Sequence, residues 1–197
     1  MDLDAGDYQF KLPDFEHPSL LFLLEDGLKN LIGVPLFYKP YMKSYGLKGN
    51  ERVLDFGCGG GIGSRCLARY LNRGGQLTCI DISRYWMEKT KKRLARYANV
   101  ECRVGDIREL DIAVASFDAI SIIHVLHDIP PAERQATVQA LSRVLKAGGR
   151  VFVREPTRKS HGMAVGEIRR LFAETGLSET EYRETKSEYM GRYEKPG

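Results

Sequence analysis

The sequence predicts an α/β fold: a mostly parallel sheet of seven strands, with helices on both faces and an antiparallel hairpin at its C-terminal end. Residues 53–64, VLDFGCGGGIGS, join a short apolar run to a glycine-rich turn that opens a helix. Further strand-like runs follow at 76–80, 100–104, 117–123 and 150–155. The last two runs, 177–185 and 187–193, are too close together for a crossover helix. They are therefore expected to pair antiparallel.

The helices are predicted from apolar residues that recur at three- and four-residue spacing. They are expected at 62–71, 84–97, 132–145 and 165–175. Gly148-Gly149 is the predicted C-terminal stop of the third of these helices. A polar loop is expected at 157–162, after the fifth strand.

Size and composition indicate an ordinary globular chain with one main core. The chain has 197 residues, of which 43% are hydrophobic and 28% charged, and its net charge is only +4. A nucleic-acid-binding protein would need a concentrated basic face, so no nucleic-acid partner is expected. No apolar run reaches the roughly 18–20 residues that span a bilayer, and the acidic start MDLDAGDYQF does not resemble a signal peptide. A cytoplasmic location is expected.

The four cysteines, Cys58, Cys66, Cys79 and Cys102, form no C-x-x-C pair. Two of them fall in predicted strands, which favours buried, reduced thiols. Their spacing does not match a structural zinc site.

The N-terminal region, 1–49, is predicted as an arm followed by packing or lid helices, and 50–197 as the core domain. A helix capped by Ser19 would place Leu20, Leu24 and Leu28 on one face before Pro35 ends it. One interpretation is that this face covers a sheet edge. The other is that the region forms a lid, with its tyrosines lining a substrate pocket.

The glycine turn carries the order Asp55-x-Gly57-x-Gly59-x-Gly61. A dinucleotide fingerprint has its glycines at other offsets and does not need the acid. An acid before the turn would repel a pyrophosphate, but it suits a ligand with a positive ammonium group. Here the sequence resembles the class I S-adenosylmethionine-dependent methyltransferases, whose first motif is D/E-x-G-x-G-x-G. The resemblance implies a Rossmann-like sheet and S-adenosylmethionine as cofactor.

Two further acids end the second and third predicted strands. Asp81 can accept hydrogen bonds from both ribose hydroxyls, with Ile82 against the adenine ring; alternatively, Asp81 caps the next helix. The resemblance implies that Asp106 binds the adenine amino group, although a turn-forming aspartate is the simpler alternative. The expected cofactor-binding residues are Asp55, Gly57, Cys58, Gly59, Gly61, Asp81, Ile82, Asp106, Ile107 and Ile123.

The resemblance also implies methyl transfer to a small-molecule acceptor by in-line displacement, without fixing whether the acceptor atom is O, N, S or C. An apolar or aromatic acceptor is compatible with the apolar N-terminal region, and a monomer or a homodimer is expected. One alternative is a module that binds the cofactor without transferring its methyl group. A nicotinamide-dependent oxidoreductase is disfavoured by the glycine offsets and the C-terminal hairpin.

The candidate catalytic bases are His127 and His124, in the loop after the fourth strand. Histidine suits proton transfer at neutral pH, but either side chain can instead be structural. Glu155 ends the fifth strand and either binds a cationic acceptor or pairs with its neighbours. No metal site is expected, because two histidines lack an evident third ligand.

Overall fold

The computed structural model describes residues 8, 10, 14–16, 34 and 36–197. The predicted Ser19-capped helix and Pro35 lie outside the described residues. The chain separates into two compact units, Asp14–Asp106 and Met1–Pro13 with Ile107–Gly197. The predicted division into 1–49 and 50–197 stays a prediction.

The unit that contains the glycine turn has three parallel strands in the order β3-β2-β1. Its elements are α1 (Lys39–Lys43), β1 (Arg52–Phe56), α2 (Ile62–Tyr70), β2 (Gln76–Asp81), α3 (Arg84–Leu94) and β3 (Val100–Val104). The register sets Asp55 beside Cys79, and Cys79 beside Cys102. The carboxyl ends of all three strands therefore lie at one edge.

The interior of this unit is formed by β1 and β2, each of which buries four consecutive residues, and by the inner faces of the helices. Val53 and Leu54 of β1 are fully buried, as is Ile80 of β2. Trp86 and Met87 are buried on the inner face of α3. Met87, Thr90 and Leu94 are all buried, and their three- and four-residue spacing confirms the helical period predicted for this segment.

The other unit carries the C-terminal half of the chain. Its elements are β4 (Phe117–Ile123), a 3₁₀ turn (Leu126–Asp128), α4 (Pro131–Val144), β5 (Leu145–Arg158), β6 (His161–Gly162), α5 (Val165–Ala173), β7 (Ser178–Glu184) and β8 (Glu188–Glu194). The strand order is β4-β5-β8-β7, and β6 pairs with β5. Only β4 and β5 are parallel in this set; β8 is antiparallel to both neighbours. The predicted closing hairpin is confirmed.

Strand β5 is longer at both ends than the predicted 150–155. It begins at Leu145, so the expected glycine stop lies inside the strand. The main chain there is paired, because the N–H of Gly148 donates to the carbonyl of Lys195 and the N–H of Lys195 donates to Gly149. The expected loop at 157–162 is instead a tight hairpin in which Arg158 lies opposite His161.

The interior of this unit is aromatic where α5 meets the hairpin. The rings of Phe172 and Tyr193 stack with centroids 4.3 Å apart. Tyr189 is also fully buried, and its hydroxyl is 2.6 Å from that of Tyr193.

Within the described ranges, no helix is both long and apolar enough to cross a membrane. All four cysteines, each of which the structure describes, are free thiols.

An ion pair joins β5 to β8 and makes the stability of the protein depend on pH. Arg154 donates two hydrogen bonds to the carboxylate of Glu188, at 2.7 and 2.8 Å. Burial opposes the charge of Glu188, but hydrogen bonds from His124 and Arg154 hold its pKa down to about 2. A carboxyl with a lowered pKa contributes stability above its ordinary pKa of 4.5, and this contribution is lost as the pH falls towards 2.

We therefore expect Glu188→Gln to lower the free energy of unfolding at pH 7 by about 2 kcal/mol and to make it less sensitive to pH below 4.5. Urea unfolding between pH 2.5 and 7 measures both effects. The control is Glu181→Gln on β7, whose side chain is 69% exposed and should contribute less than about 0.5 kcal/mol. Equal pH dependence in Glu188→Gln and the unsubstituted protein would contradict this assignment.

Candidate functional site

The glycine turn connects the end of β1 to the start of α2. Gly57, Gly59 and Gly61 have φ values of 67°, 50° and 75°, a left-handed conformation that glycine adopts without a side-chain clash. The N–H groups of Gly57 and Cys58 donate to the carbonyl of Ile80 on β2, at 2.8 and 3.1 Å. The turn is thus fixed to the neighbouring strand, and Cys58 is half-buried within it.

Asp55 lies just before the turn and is almost fully buried, with 4% exposed. Its carboxylate accepts a hydrogen bond of 2.6 Å from the hydroxyl of Ser64, in the first turn of α2. The side chain therefore connects the end of β1 to the start of α2. Gly61 precedes α2, and among the described residues no side chain caps this helix and no acid lies in its first turn. Its N-terminus is suited to an anionic group.

Asp81 connects β2 to the same turn. One of its carboxylate oxygens accepts the N–H of Gly59 at 2.7 Å, and the other accepts the N–H of Ser83 at 2.9 Å. Burial raises the pKa of Asp81 despite these hydrogen bonds. A carboxylate has about four acceptor positions, so two backbone bonds leave capacity for two hydroxyl groups. Asp81 does not cap α3; that role belongs to Ser83, which accepts the N–H of Trp86.

Asp106 and Ile82 are the other predicted cofactor-binding residues at the carboxyl ends of these three strands. Asp106 follows β3 and is partly exposed, and the N–H of Gly105 donates to the carbonyl of Asp81 at 3.0 Å. Ile82 is 63% exposed, which is unusual for an isoleucine and leaves its side chain available for a contact. The parallel register therefore brings Asp55, Asp81 and Asp106 to the carboxyl ends of three adjacent strands.

Two predicted cofactor contacts belong to the other unit. Ile107 is fully buried, so its side chain packs inside the protein. Ile123 is the last residue of β4 and is partly exposed. Their predicted roles stay predictions.

The sequence analysis missed two residues of α3 that support the glycine turn. Thr90 is fully buried, and its hydroxyl donates to the carbonyl of Gly59 at 2.6 Å. Arg93 donates to the carbonyl of Gly60. The available signal was a threonine in the buried stripe of α3, between Trp86 and Leu94. A polar residue in such a stripe needs a hydrogen-bond partner.

Residues 14–16 lie against the start of α3. The hydroxyl of Ser83 donates to the carbonyl of Phe15 at 3.0 Å, and the N–H of Arg84 donates to the carboxylate of Glu16 at 2.8 Å. Its partners Ser83 and Arg84 follow Asp81 and Ile82 directly in the chain. The segment belongs to the region 1–49, for which the sequence predicts packing or a lid.

In the other unit, the turn after β4 is organised by Glu155. Glu155 is fully buried, and because β5 continues to Arg158 it does not end that strand as predicted. One carboxylate oxygen accepts the N–H groups of Val125 and Leu126, both at 2.8 Å. The other lies 2.7 Å from Nδ1 of His127, so that nitrogen donates its proton to Glu155. The carboxylate thereby fixes the orientation of the imidazole ring.

The second ring nitrogen of His127 faces two further side chains. Nε2 lies 3.1 Å from Nε2 of His161 and 3.5 Å from Oδ1 of Asp128. Burial opposes a charge on His127, but the hydrogen bond and negative charge of Glu155, with Asp128, raise its pKa. No sequence pattern predicted that His161, 34 residues away along the chain, would lie at this position.

His124 has a different environment. It is exposed, and its backbone φ of 57° is in the left-handed region that non-glycine residues seldom adopt. Its N–H donates to the carbonyl of Arg154, and its Nε2 lies 3.0 Å from the carboxylate of Glu188. The two candidate bases are therefore neighbours, with ring centroids 6.4 Å apart, but they have separate partners.

Arg134 of α4 also holds this turn and was not predicted. Its guanidinium donates to the carbonyls of Ile129 and His127, at 3.0 and 3.1 Å, and to the carboxylate of Glu167 at 2.7 Å. Only 5% of Arg134 is exposed. A buried arginine on a helix needs such partners, but the sequence does not show which ones.

Comparison of the sequence with known proteins finds similarity to methyltransferases. The model of a methyltransferase domain family matches residues 53–149. A demethylmenaquinone methyltransferase of Staphylococcus aureus is 31% identical over 136 residues, which are 68% of this chain and 56% of that relative. The chain thus spans little more than half the length of this relative.

Solved structures confirm the predicted fold class. A SAM-dependent methyltransferase from Aquifex aeolicus superposes with a TM-score of 0.70 and 18% identity, over 80% of this chain and 89% of its own. The N-methyltransferase NodS from Bradyrhizobium japonicum, solved with S-adenosyl-L-homocysteine, gives a TM-score of 0.64 and 20% identity, over 74% and 78%. At these identities the likeness concerns the fold.

The contact between the glycine turn and α3 predicts a stability difference between two glycine variants. A Cβ atom at Gly61 would lie 2.7 Å from Oγ1 of Thr90, whereas one at Gly74 would meet nothing within 4 Å. Both positions have positive φ, 75° and 87°. We expect Gly61→Ala to lower the free energy of unfolding by about 2–3 kcal/mol and Gly74→Ala by about 1 kcal/mol. Urea unfolding of the two variants measures the difference, and equal losses would rule out the proposed role of Thr90.

Proposed function

Because this chain belongs to the class I S-adenosylmethionine-dependent methyltransferases, we propose that it transfers the methyl group of S-adenosylmethionine to a small-molecule acceptor. One observation carries the proposal: three carboxylates, Asp55, Asp81 and Asp106, lie at the carboxyl ends of three adjacent parallel strands, next to a glycine turn. The methyltransferase names of the relatives support the same activity.

In this proposal each part of the edge binds one part of the cofactor. The N-terminus of α2 receives the carboxylate of the amino-acid tail, while the negative charge of Asp55 favours its ammonium group. The free acceptor positions of Asp81 bind the ribose hydroxyls. Asp106 accepts from the adenine amino group, and exposed Ile82 lies against the ring.

The chemistry needs little more than positioning. The sulfonium already activates the methyl carbon, so the protein must hold an acceptor atom in line with the S–CH₃ bond. Such positioning can lower a barrier by roughly 7–11 kcal/mol. The relative named for demethylmenaquinone supports an apolar, aromatic acceptor as the first class to test.

For an acceptor that must lose a proton, His124 and His127 are our candidate bases. Their place in the turn after β4 supports this role, and Glu155 orients His127 as carboxylates orient catalytic histidines. The exposed position of His124 makes it accessible to a ligand.

Cofactor binding tests the carboxylates directly. We expect Asp81→Asn and Asp106→Asn each to weaken S-adenosylmethionine binding by about 10-fold or more, because each removes charge-assisted hydrogen bonds. Isothermal titration calorimetry with S-adenosylmethionine and S-adenosylhomocysteine measures the affinities. The matched control is Asp118→Asn near the start of β4, whose carboxylate pairs with Lys146 and should not affect binding. Failure of the unsubstituted protein to bind either compound at millimolar concentration would overturn the proposal.

Turnover distinguishes a transferase from a module that only binds the cofactor. We expect product S-adenosylhomocysteine with at least one compound from a panel of quinols, phenols, amines and thiols. With a hydroxyl acceptor, loss of the base should reduce the rate about 10²–10⁴-fold, so His124→Gln and His127→Gln are compared under saturating cofactor. Rates unchanged in both variants would exclude both histidines as bases.

A further inference from the structure

We propose that His127, Asp128 and His161 form a binding site for one divalent transition-metal ion, with Zn²⁺ as the best-suited ion. The three residues offer two imidazole nitrogens and a carboxylate oxygen, the donor types that Zn²⁺ prefers in three-ligand sites. The site lies within one unit and is independent of the glycine turn. It therefore does not rest on methyl transfer or on cofactor binding.

The distances between the three donor atoms fit a common ion. All three lie within 4.8 Å of one another. Nε2 of His127 is 3.1 Å from Nε2 of His161 and 3.5 Å from Oδ1 of Asp128. Two ligands on a tetrahedral Zn²⁺, each bound at about 2.0–2.1 Å, are about 3.4 Å apart. The two distances from His127 are thus within a few tenths of an ångström of this value, and the third, between the donor atoms of His161 and Asp128, is at most 4.8 Å.

Glu155 prepares His127 for this role. Its buried carboxylate binds Nδ1 of His127 at 2.7 Å and is itself fixed by the two backbone N–H groups of Val125 and Leu126. Because Nδ1 carries the proton, the lone pair of neutral His127 is on Nε2 and points towards His161 and Asp128. Metal-binding histidines commonly donate their other nitrogen to a carboxylate in this way.

The surrounding backbone holds the donors without closing the site. His127 and Asp128 belong to the 3₁₀ turn, and Arg134 binds the carbonyl of His127. His161 comes from the β5–β6 hairpin, and its side chain is exposed while Asp128 is half-buried. An ion would be reached from solvent on the His161 side.

The alternative explanation for the closeness of these three side chains is a shared proton rather than a metal ion. A proton on Nε2 of His127 would also satisfy His161 and Asp128, with no metal bound. The two explanations differ in what they predict for added metal. Only a metal site binds one equivalent of metal through these three side chains. Three protein ligands also leave a fourth coordination position open for water or another small ligand. When the ion is bound, His127 has no free nitrogen with which to accept a proton.

Metal titration of the full chain tests the proposal. The protein is stripped with EDTA, exchanged into buffer without chelator and titrated with Zn²⁺ by calorimetry. We expect one equivalent to bind with a dissociation constant of about 1 µM or tighter, and His161→Gln and Asp128→Asn each to weaken binding by at least about 10-fold. Glu155→Gln is expected to weaken it by about 10–100-fold through the orientation of His127.

The matched control is His124→Gln, which removes a neighbouring histidine outside the donor set and should bind Zn²⁺ as the unsubstituted protein does. His161 is exposed, so its variant should fold normally, and circular dichroism checks this. Co²⁺ substitution then identifies the ligands by near-ultraviolet and visible absorption, because cysteine thiolates add a strong near-ultraviolet charge-transfer band that nitrogen and oxygen donors lack.

The proposal is overturned if the unsubstituted protein binds no Zn²⁺ at about 100 µM, or if a folded His161→Gln protein binds it equally well. A thiolate band in the Co²⁺ spectrum would likewise overturn it, by assigning the metal to the cysteines. Zinc binding that is lost in His161→Gln and Asp128→Asn but kept in His124→Gln supports it. None of these results depends on whether S-adenosylmethionine binds.

Discussion

The hydrogen bond between the Asp81 carboxylate and the N–H of Gly59 is the constraint on which the conformation of the glycine turn depends. A glycine turn with three left-handed residues has many conformations available when unfolded, and ordering it costs backbone entropy. Asp81 fixes this turn to the end of β2, and Thr90 fixes it to α3. These two contacts hold the turn in one conformation, so a ligand that binds there need not supply the free energy of ordering it.

Glu155 fixes the turn after β4 in the same way, by accepting hydrogen bonds from its backbone N–H groups. In each unit an acid on a strand accepts backbone N–H groups from a neighbouring turn and thereby fixes the conformation of that turn. The difference is burial, because Glu155 is fully enclosed while Asp81 remains partly exposed. An enclosed carboxylate with three donors has little capacity for a ligand and acts through His127. A partly exposed one with two donors retains acceptor positions for a ligand.

The sequence predicted features that depend on neighbouring residues or on a repeated pattern. Strand β3 and strand β4 have the predicted bounds, and the final hairpin follows from a connection too short for a helix. It did not predict the start of β5 at Leu145, since pairing with Lys195 overrides the turn preference of two glycines. Thr90 and His161 reach their partners through tertiary packing, across 31 and 34 residues, and no local pattern encodes such contacts.

The left-handed backbone of His124 has a consequence for engineering this chain. A histidine at φ 57° carries conformational strain that glycine would not, on the order of 1 kcal/mol. Glycine would remove this strain, but it would also remove the contact between Nε2 and the Glu188 carboxylate that helps to hold β8. The two effects oppose each other, so a stabilised scaffold is better sought at residues outside this contact.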